Sequence, residues 1–255
     1  MATNTKSKSP LRDKPLRQAG QSVQEEIDRL LDEQALPYVL GSIFVVMLAA
    51  IEWYRWWTDS PLQPGIATFT AAIVVAFTAF KLRGVAKRAQ HLRQGRDGEK
   101  IVGEFLEELR EKGCIVFHDI VADKFNIDHV VLSDRGIFVV ETKTFSKPGG
   151  DAKVRSDGKG LSCDGLGDQT HIIDQAKGNA RWIAEMLKQS TGRDFATKPV
   201  IVFPGWYVEG GLHKDHWVIS PKALPKLLEG EDQRIRPEDV KMAAYHLSRY
   251  IRATP

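Results

Sequence analysis

The sequence predicts an α/β domain with a mixed β-sheet flanked by helices, preceded by an apolar helical hairpin. Two Val- and Ile-rich runs, residues 127–131 and 136–140, have the length and composition of buried strands. Residues 97–112 and 169–189 carry apolar side chains at helical spacing, which predicts helices that pack on a sheet. Residues 37–80 contain two apolar stretches that each approach the ~20 residues needed to cross a bilayer.

Composition sets the broad class of the protein. The chain has 255 residues, enough for one sizeable core plus an appendage, and its 42% hydrophobic and 27% charged content is ordinary for a globular protein. The net charge of +3 is too small to indicate nucleic-acid binding by itself. Two cysteines, Cys114 and Cys163, have no zinc-site spacing and make no disulfide framework, which predicts reduced cytosolic thiols.

The first segment, residues 1–36, combines a basic tail with a short helix. Residues 1–21 are rich in Lys, Arg, Ser and Gln without an apolar period, which predicts a disordered tail. Ser22 and Glu25 have capping-box spacing, and apolar residues at helical intervals follow to about residue 36. The apolar stretch begins too late for a secretory signal.

The apolar segment, residues 37–80, has the flanks of a transmembrane hairpin. Helices are predicted at 37–57 and 62–80, with an aromatic cluster at 53–57 where an interfacial belt is expected. A basic linker, residues 81–96, follows, so the positive-inside rule predicts a multi-pass cell-membrane protein with both termini cytoplasmic. The linker can anchor on anionic membrane lipid or contact phosphates of a nucleic acid. The alternative is a buried helical hairpin in a soluble fold.

The most informative chemical pattern is an acidic pair with a lysine on the predicted strands. Asp128 lies in the first strand, Glu141 and Lys143 follow the second, and Asp134 and Arg135 lie between them. A two- or four-residue loop at this turn places Asp128 opposite Glu141, with the carboxylates about 5 Å apart. A divalent cation is the natural compensation for such a pair, and oxygen ligands suit Mg²⁺. A lysine on the same face can orient a water or stabilise a phosphate charge.

Two neighbouring side chains have alternative interpretations. Glu99 flanks the apolar stripe of the predicted helix 97–112 and can lean towards the sheet, or it can complement the helix dipole. His129 follows Asp128, so its side chain is predicted to point to the opposite face as a structural histidine.

Five ordered blocks carry a family resemblance. They are residues 95–99 (GRDGE), 116–120 (VFHDI), 127–131 (IDHVV), 136–143 (GIFVVETK) and 175–180 (QAKGNA). The acidic pair with Glu-x-Lys is similar to the PD-(D/E)xK nuclease core. Together the blocks resemble the nuclease-related domain (NERD) family over roughly residues 95–205.

The resemblance implies a metal-dependent hydrolase that cleaves phosphodiester bonds of nucleic acid, first of all DNA. The implied cofactor is Mg²⁺ or Mn²⁺, held by Asp128, Glu141 and the Thr142 carbonyl. Glu99 occupies the family's glutamate position and is implied as a further or water-mediated acidic ligand.

The implied catalytic residues are Lys143, which would position the attacking water, Glu99 and Gln175. Gln175 and Asn179 lie one turn apart on the predicted helix 169–189 and resemble the family's Gln/Asn pair. As isolated residues they are ordinary amides of a helix surface.

Residues 97–255 are thus predicted to form a nuclease-related domain with a C-terminal extension. A loop or flexible hairpin is predicted at 147–167, strands at 198–203 and 217–219, and a helix at 237–252. The competing function is a catalytically silent, membrane-tethered module that binds nucleic acid or a protein on the same fold.

Overall fold

The computed structural model describes residues 15–58, 64–122 and 124–253. The chain divides into two compact units, Ser22–Arg96 and Asp97–Pro255, and the second also includes Met1–Gln21. The helices within the described ranges are α1 (Gln21–Leu30), α2 (Leu36–Trp57), α3 (Pro64–Glu111), α4 (His171–Thr191), α5 (Leu224–Gly230) and α6 (Pro237–Ala253). The strands are β1 (Ile115–Val121), β2 (Asn126–Ser133), β3 (Gly136–Thr142), β4 (Lys153–Ser156), β5 (Leu161–Cys163), β6 (Gly167–Asp168), β7 (Thr197–Val202), β8 (Tyr207–Glu209) and β9 (Trp217–Ile219).

The predicted amphipathic helix and the first apolar helix form one continuous helical run. A single π-helical turn, Leu31–Ala35, joins α1 to α2. Pro37 lies at the start of α2 and has no backbone N–H to donate, so the regular hydrogen-bond ladder is interrupted one turn earlier. The helix persists through this interruption because most of its residues, Leu, Glu, Gln and Ala, are good helix formers.

The apolar segment is a pair of helices joined by polar contacts. Ser42 Oγ donates to Thr78 Oγ1 at 2.6 Å, and Trp53 Nε1 donates to Thr68 Oγ1 at 2.8 Å. Two helical stretches, Gln21–Trp57 and Gly65–Glu111, are long and apolar enough to cross a membrane, and only 6% and 11% of their most apolar windows are buried. The helices are therefore compatible with a transmembrane hairpin. The tight loop predicted after residue 58 lies outside the described residues.

The predicted basic linker has a regular structure. Residues 81–96 are helical and belong to α3, which runs without a break from Pro64 to Glu111. Lys, Arg, Ala, Gln and Leu are all good helix formers, and this stretch contains no proline. The helix start predicted at residue 97 is wrong, because Gly95 and Gly98 are tolerated inside the helix.

The main sheet has five strands in the order β1-β2-β3-β7-β9. The first three strands are antiparallel, and β7 and β9 continue in parallel, which confirms the predicted mixed α/β fold. Ser133 pairs with Gly136, so the β2–β3 loop is the two residues Asp134 and Arg135, as predicted. Helices α4 and α6 form one hydrophobic core with this sheet, and α3 and α5 form a second core with it.

A second sheet of four short strands, in the order β6-β5-β4-β8, was not predicted. Most of this sheet lies in the stretch 147–167. Of the two predictions for that stretch, the hairpin therefore agrees better with the structure than the loop. These strands have two to four residues, too few for an alternating pattern to be recognised. The predicted strands near 198 and 217 and the predicted C-terminal helix are confirmed as β7, β9 and α6.

Candidate active site

Glu141 at the end of β3 is held by three side-chain donors. Lys143 Nζ lies 2.7 Å from Glu141 Oε1, and Gln175 Nε2 donates to the same oxygen at 2.7 Å. Asn179 Nδ2 donates to Glu141 Oε2 at 2.8 Å. Lys143 also donates to Gln175 Oε1 at 3.0 Å, which closes the network. Strand β3 and helix α4 therefore bring together Glu141, Lys143, Gln175 and Asn179.

Asp128 lies beside Glu141 on the neighbouring strand. The β2–β3 register pairs His129 with Val140, which places Asp128 opposite Glu141 one step further along. Asp128 Oδ2 accepts a hydrogen bond of 2.7 Å from the backbone N–H of Thr142. Burial raises the pKa of Asp128 well above its usual range, and the negative charges of Glu141 and Glu99 raise it further.

Glu99 reaches this site because α3 passes very close to the end of β3. A Cβ atom added to Gly98 would lie 1.7 Å from Thr144 Oγ1, so only glycine allows this approach. Burial raises the pKa of Glu99 to about 7, and the charges of Asp119 and Glu141 raise it as well. The backbone N–H of Gly20 and the charge of Lys143 oppose this shift without cancelling it.

Asp119 on β1 is a further buried acid that the sequence reasoning did not assign to the site. Its side chain forms an ion pair with Arg17, in which Nε of Arg17 lies 2.7 Å from Oδ2 of Asp119. Its φ angle of 50° is positive, a conformation that non-glycine residues adopt rarely and that is often found at functional sites. An acid next to a histidine inside an apolar strand was the signal that could have identified it.

The strained residue coincides with a break in side-chain alternation. Phe117 and Ile120 on β1 belong to the same core cluster, and so do Ile127 and Val130 on β2. Members of each pair are three positions apart, whereas strict alternation would send them to opposite faces. The distortion therefore lies at Asp119 and at the adjacent position on β2.

Residues 15–20 correct part of the prediction of a disordered tail. Arg17 pairs with Asp119, and Gly20 donates to Glu99, so this stretch lies against the acidic residues of its own unit. Apolar periodicity could not have predicted this contact, because it is made by a charged side chain and a backbone group. Residues 1–14 lie outside the described part of the chain.

His129 occupies the opposite side of the sheet, as predicted. Its Nδ1 lies 2.8 Å from Nδ1 of His118, and His118 Nε2 lies 2.7 Å from Glu107 Oε1. Burial lowers the pKa of His129 well below its usual range, and His118 lowers it further. This chain from Glu107 to His129 belongs to the packing between α3 and the sheet.

Glu99 should make folding stability depend on pH. It ionises near pH 4.5 in the unfolded chain but near 7 in the folded one, so the folded state binds more protons between these values. The free energy of unfolding should therefore fall as pH rises through this window. We expect Glu99→Gln to reduce this loss in urea titrations of the full chain in detergent with EDTA.

The matched control is Glu104→Gln, an exposed glutamate on the same helix. It should leave the pH dependence as it is in the parent. If Glu99→Gln and the parent showed the same pH dependence, the ionised form of Glu99 would not be destabilised in the folded state.

Comparison with known proteins identifies the domain that contains these residues. Residues 94–204 match the model of the nuclease-related domain family. An uncharacterised protein of Bacillus anthracis is 32% identical over 78 residues, which cover 29% of this chain and 37% of that protein. No solved structure matches the chain. The match agrees with the resemblance over roughly residues 95–205, and this chain therefore carries a nuclease-related domain at residues 94–204.

Proposed function

We propose that this domain hydrolyses phosphodiester bonds of nucleic acid, with DNA as its first substrate, in a reaction that depends on Mg²⁺ or Mn²⁺. The observation that carries the proposal is the network around Glu141, in which Lys143 and Gln175 hold the carboxylate beside Asp128. These residue types suit metal-dependent phosphodiester hydrolysis, with carboxylates for a cation and a lysine for a water or an oxyanion.

The residues of the site fit a divalent cation of this kind. Within the described residues, no three His, Cys, Asp or Glu side chains are grouped as a ready-made metal site. Mg²⁺, however, is usually bound through one or two carboxylates and keeps several waters. Asp128 Oδ2 and Glu141 Oε2 each accept one of the hydrogen bonds described above, and a carboxylate oxygen has two acceptor positions. Burial first, and then the charges of Glu141 and Glu99, raise the pKa of Asp128, and a bound cation would offset both effects on the carboxylate.

Asp128 and Glu141 would hold the cation together with the Thr142 carbonyl, and Glu99 would be a further or water-mediated acidic ligand. Bound Mg²⁺ polarises a phosphoryl oxygen and lowers the pKa of a coordinated water. Lys143 Nζ is fixed by Glu141 and Gln175, so its charge is positioned for the attacking water or for the phosphoryl oxygens.

The amides of α4 have a positioning role in this proposal. Asn179 is buried and donates to Glu141 Oε2, whereas Gln175 touches both Glu141 and Lys143. Gln175 therefore orients the lysine and the carboxylate relative to each other. Glu99, whose pKa is about 7, can hold or release a proton near neutral pH.

The direct test is a cleavage assay of the full chain in detergent on single- and double-stranded DNA and RNA. We expect cleavage of DNA with Mg²⁺ or Mn²⁺, none with EDTA, and none by Asp128→Ala. Asp134→Asn is a matched control, because this exposed aspartate lies in the turn of the same hairpin. Activity that survives in Asp128→Ala would exclude this site as its source.

The competing function, a silent module that binds nucleic acid or protein, makes a different prediction. A silent module would bind its ligand without cleaving any of the four nucleic acids, and Asp128→Ala would not change that binding. An inactive parent that binds no divalent cation would make this the leading function.

For the apolar segment we propose a membrane anchor with both termini in the cytoplasm. The exposed aromatic cluster includes Trp53, Tyr54 and Trp57, and the basic residues 81–96 follow the second apolar stretch. We expect reporter fusions after Thr58 and at the C-terminus to lie in opposite compartments. A common compartment for both fusions would exclude this topology, and extraction of the chain without detergent would exclude the anchor.

A further inference from the structure

An open groove of about 1230 Å³ lies beside β9, between the segment around β8 and helix α5. Its lining includes five basic side chains, Lys198, Lys214, Lys222, Lys226 and Arg234, with Glu231 as the acidic one. The groove lining thus has four more basic than acidic side chains, whereas the formal net charge of the whole chain is +3. We propose that this basic groove binds single-stranded nucleic acid; the inference rests on the proposed function, because it takes nucleic acid as the ligand.

Two of these cations, Lys222 and Lys226, are free to contact phosphates. Lys222 and Lys226 are exposed, and among the described residues no carboxylate forms an ion pair with either of them. Arg234 forms an ion pair with Glu231, the acidic residue of the groove, with 2.8 Å between Nη2 of Arg234 and Oε2 of Glu231. Lys198 is held over the ring of Trp217, 4.9 Å from its centroid, and burial lowers its pKa. A polyanion is the ligand that such uncompensated charge favours.

The aromatic lining favours a single strand over a duplex. Tyr207 is 63% exposed in the groove, and its ring can stack on an unpaired base. Leu212, which is 58% exposed, offers a further apolar contact. Stacking platforms beside a basic track are the usual means of binding unpaired strands, because bases in a duplex do not expose their faces.

One end of the groove adjoins the segment that follows Lys143. Trp206 lines the groove, and its Nε1 donates to the carbonyl oxygen of Phe145 at 3.1 Å. Lys147 lies over the same indole ring, 5.7 Å from its centroid. Most of the groove follows residue 204, outside the match to the nuclease-related domain, so it is a feature of this chain's extension.

The test is fluorescence anisotropy of the full chain in detergent and EDTA, with a labelled DNA strand of about 16 nucleotides. We expect Lys222→Gln/Lys226→Gln to weaken binding about tenfold or more at low salt. The slope of log affinity against log salt should also fall by about 1.4, since each lost phosphate contact on a single strand accounts for about 0.7. The control Lys188→Gln/Lys241→Gln removes two exposed lysines outside the groove and should match the parent.

Substitutions of Tyr207 test the contribution of base stacking separately from that of charge. Tyr207→Ala should weaken binding of the single strand about tenfold, whereas Tyr207→Phe should retain it. The melting temperature of each variant verifies that it is folded. An equal loss for a duplex, or displacement of the strand by polyglutamate as readily as by unlabelled DNA, would overturn the single-strand assignment.

Cleavage measured in parallel with Mg²⁺ separates this inference from the proposed function. A parent that cleaves nothing but binds the strand through Lys222 and Lys226 would refute hydrolysis and support the groove. A parent that cleaves DNA while the groove variants bind like the parent would overturn the groove and leave the proposed function standing.

Discussion

Asp128→Asn and Glu141→Gln should each abolish cleavage and weaken the binding of Mg²⁺. Both substitutions keep the size of the side chain but remove a negative charge from the proposed cation site. Asp128 also accepts the Thr142 N–H, and an amide oxygen can still accept it, so the strand ends should stay in place. Titration calorimetry with Mg²⁺ or Mn²⁺, paired with the cleavage assay, measures both effects.

Lys143→Ala should separate cation binding from chemistry. It removes no proposed ligand, and Glu141 keeps its hydrogen bonds to Gln175 and Asn179. The cation should bind at least as tightly because a nearby positive charge is lost. Cleavage should fall by a factor on the order of 10² or more, the scale for losing a positioned charge or an acid–base group. Cleavage at the parent's rate would reduce Lys143 to a strand residue that stabilises Glu141.

The second large effect is expected from Gly98→Ala in α3. The new methyl group would overlap Thr144, whose Oγ1 and Cβ would lie 1.7 and 2.8 Å away. The helix and the end of β3 must then separate, which should cost about 1–3 kcal/mol of folding free energy. Because the same contact places Glu99 near Asp128, cleavage should fall as well.

Two further variants test this explanation for Gly98. Gly95→Ala has no atom within 4 Å of its new methyl group, so it should stabilise α3 slightly, by up to about 1 kcal/mol. Thr144→Gly should partly rescue Gly98→Ala, with a coupling energy of about 1 kcal/mol or more. If Thr144→Gly gave no rescue, the loss of stability in Gly98→Ala would not arise from the contact with Thr144.

The β2–β3 hairpin was predictable because its physical determinants are local. A two-residue turn fixes the register, and the register fixes the partner of every residue in both strands. The position of Asp128 opposite Glu141 follows from the turn at Asp134 and Arg135. Helix α4 was predictable for a similar reason, since a long amphipathic period determines which face packs on the sheet.

The features that sequence reasoning missed depend on contacts between distant segments. Arg17 reaches Asp119 across 102 positions of the chain, and no local pattern encodes that pairing. The four-stranded sheet joins β4 to β8 through short strands without periodicity. The basic groove was missed for the same reason, because Lys198, Lys222 and Arg234 are scattered in sequence and meet only in the fold.

The contact between Glu107 and the two histidines fixes the tautomer of each imidazole. Hydrogen bonds to His118 and Arg110 lower the pKa of Glu107, so its carboxylate accepts the Nε2–H of His118. The Nδ1 of neutral His118 is then a lone pair, and His129 must donate its own Nδ1–H to it. The Nε2 of His129 is left as a buried lone pair without a donor among the described residues. Both rings are thus uncharged at neutral pH and add no positive charge next to Asp119 and Asp128, which rely on Arg17 and Lys143 for compensation.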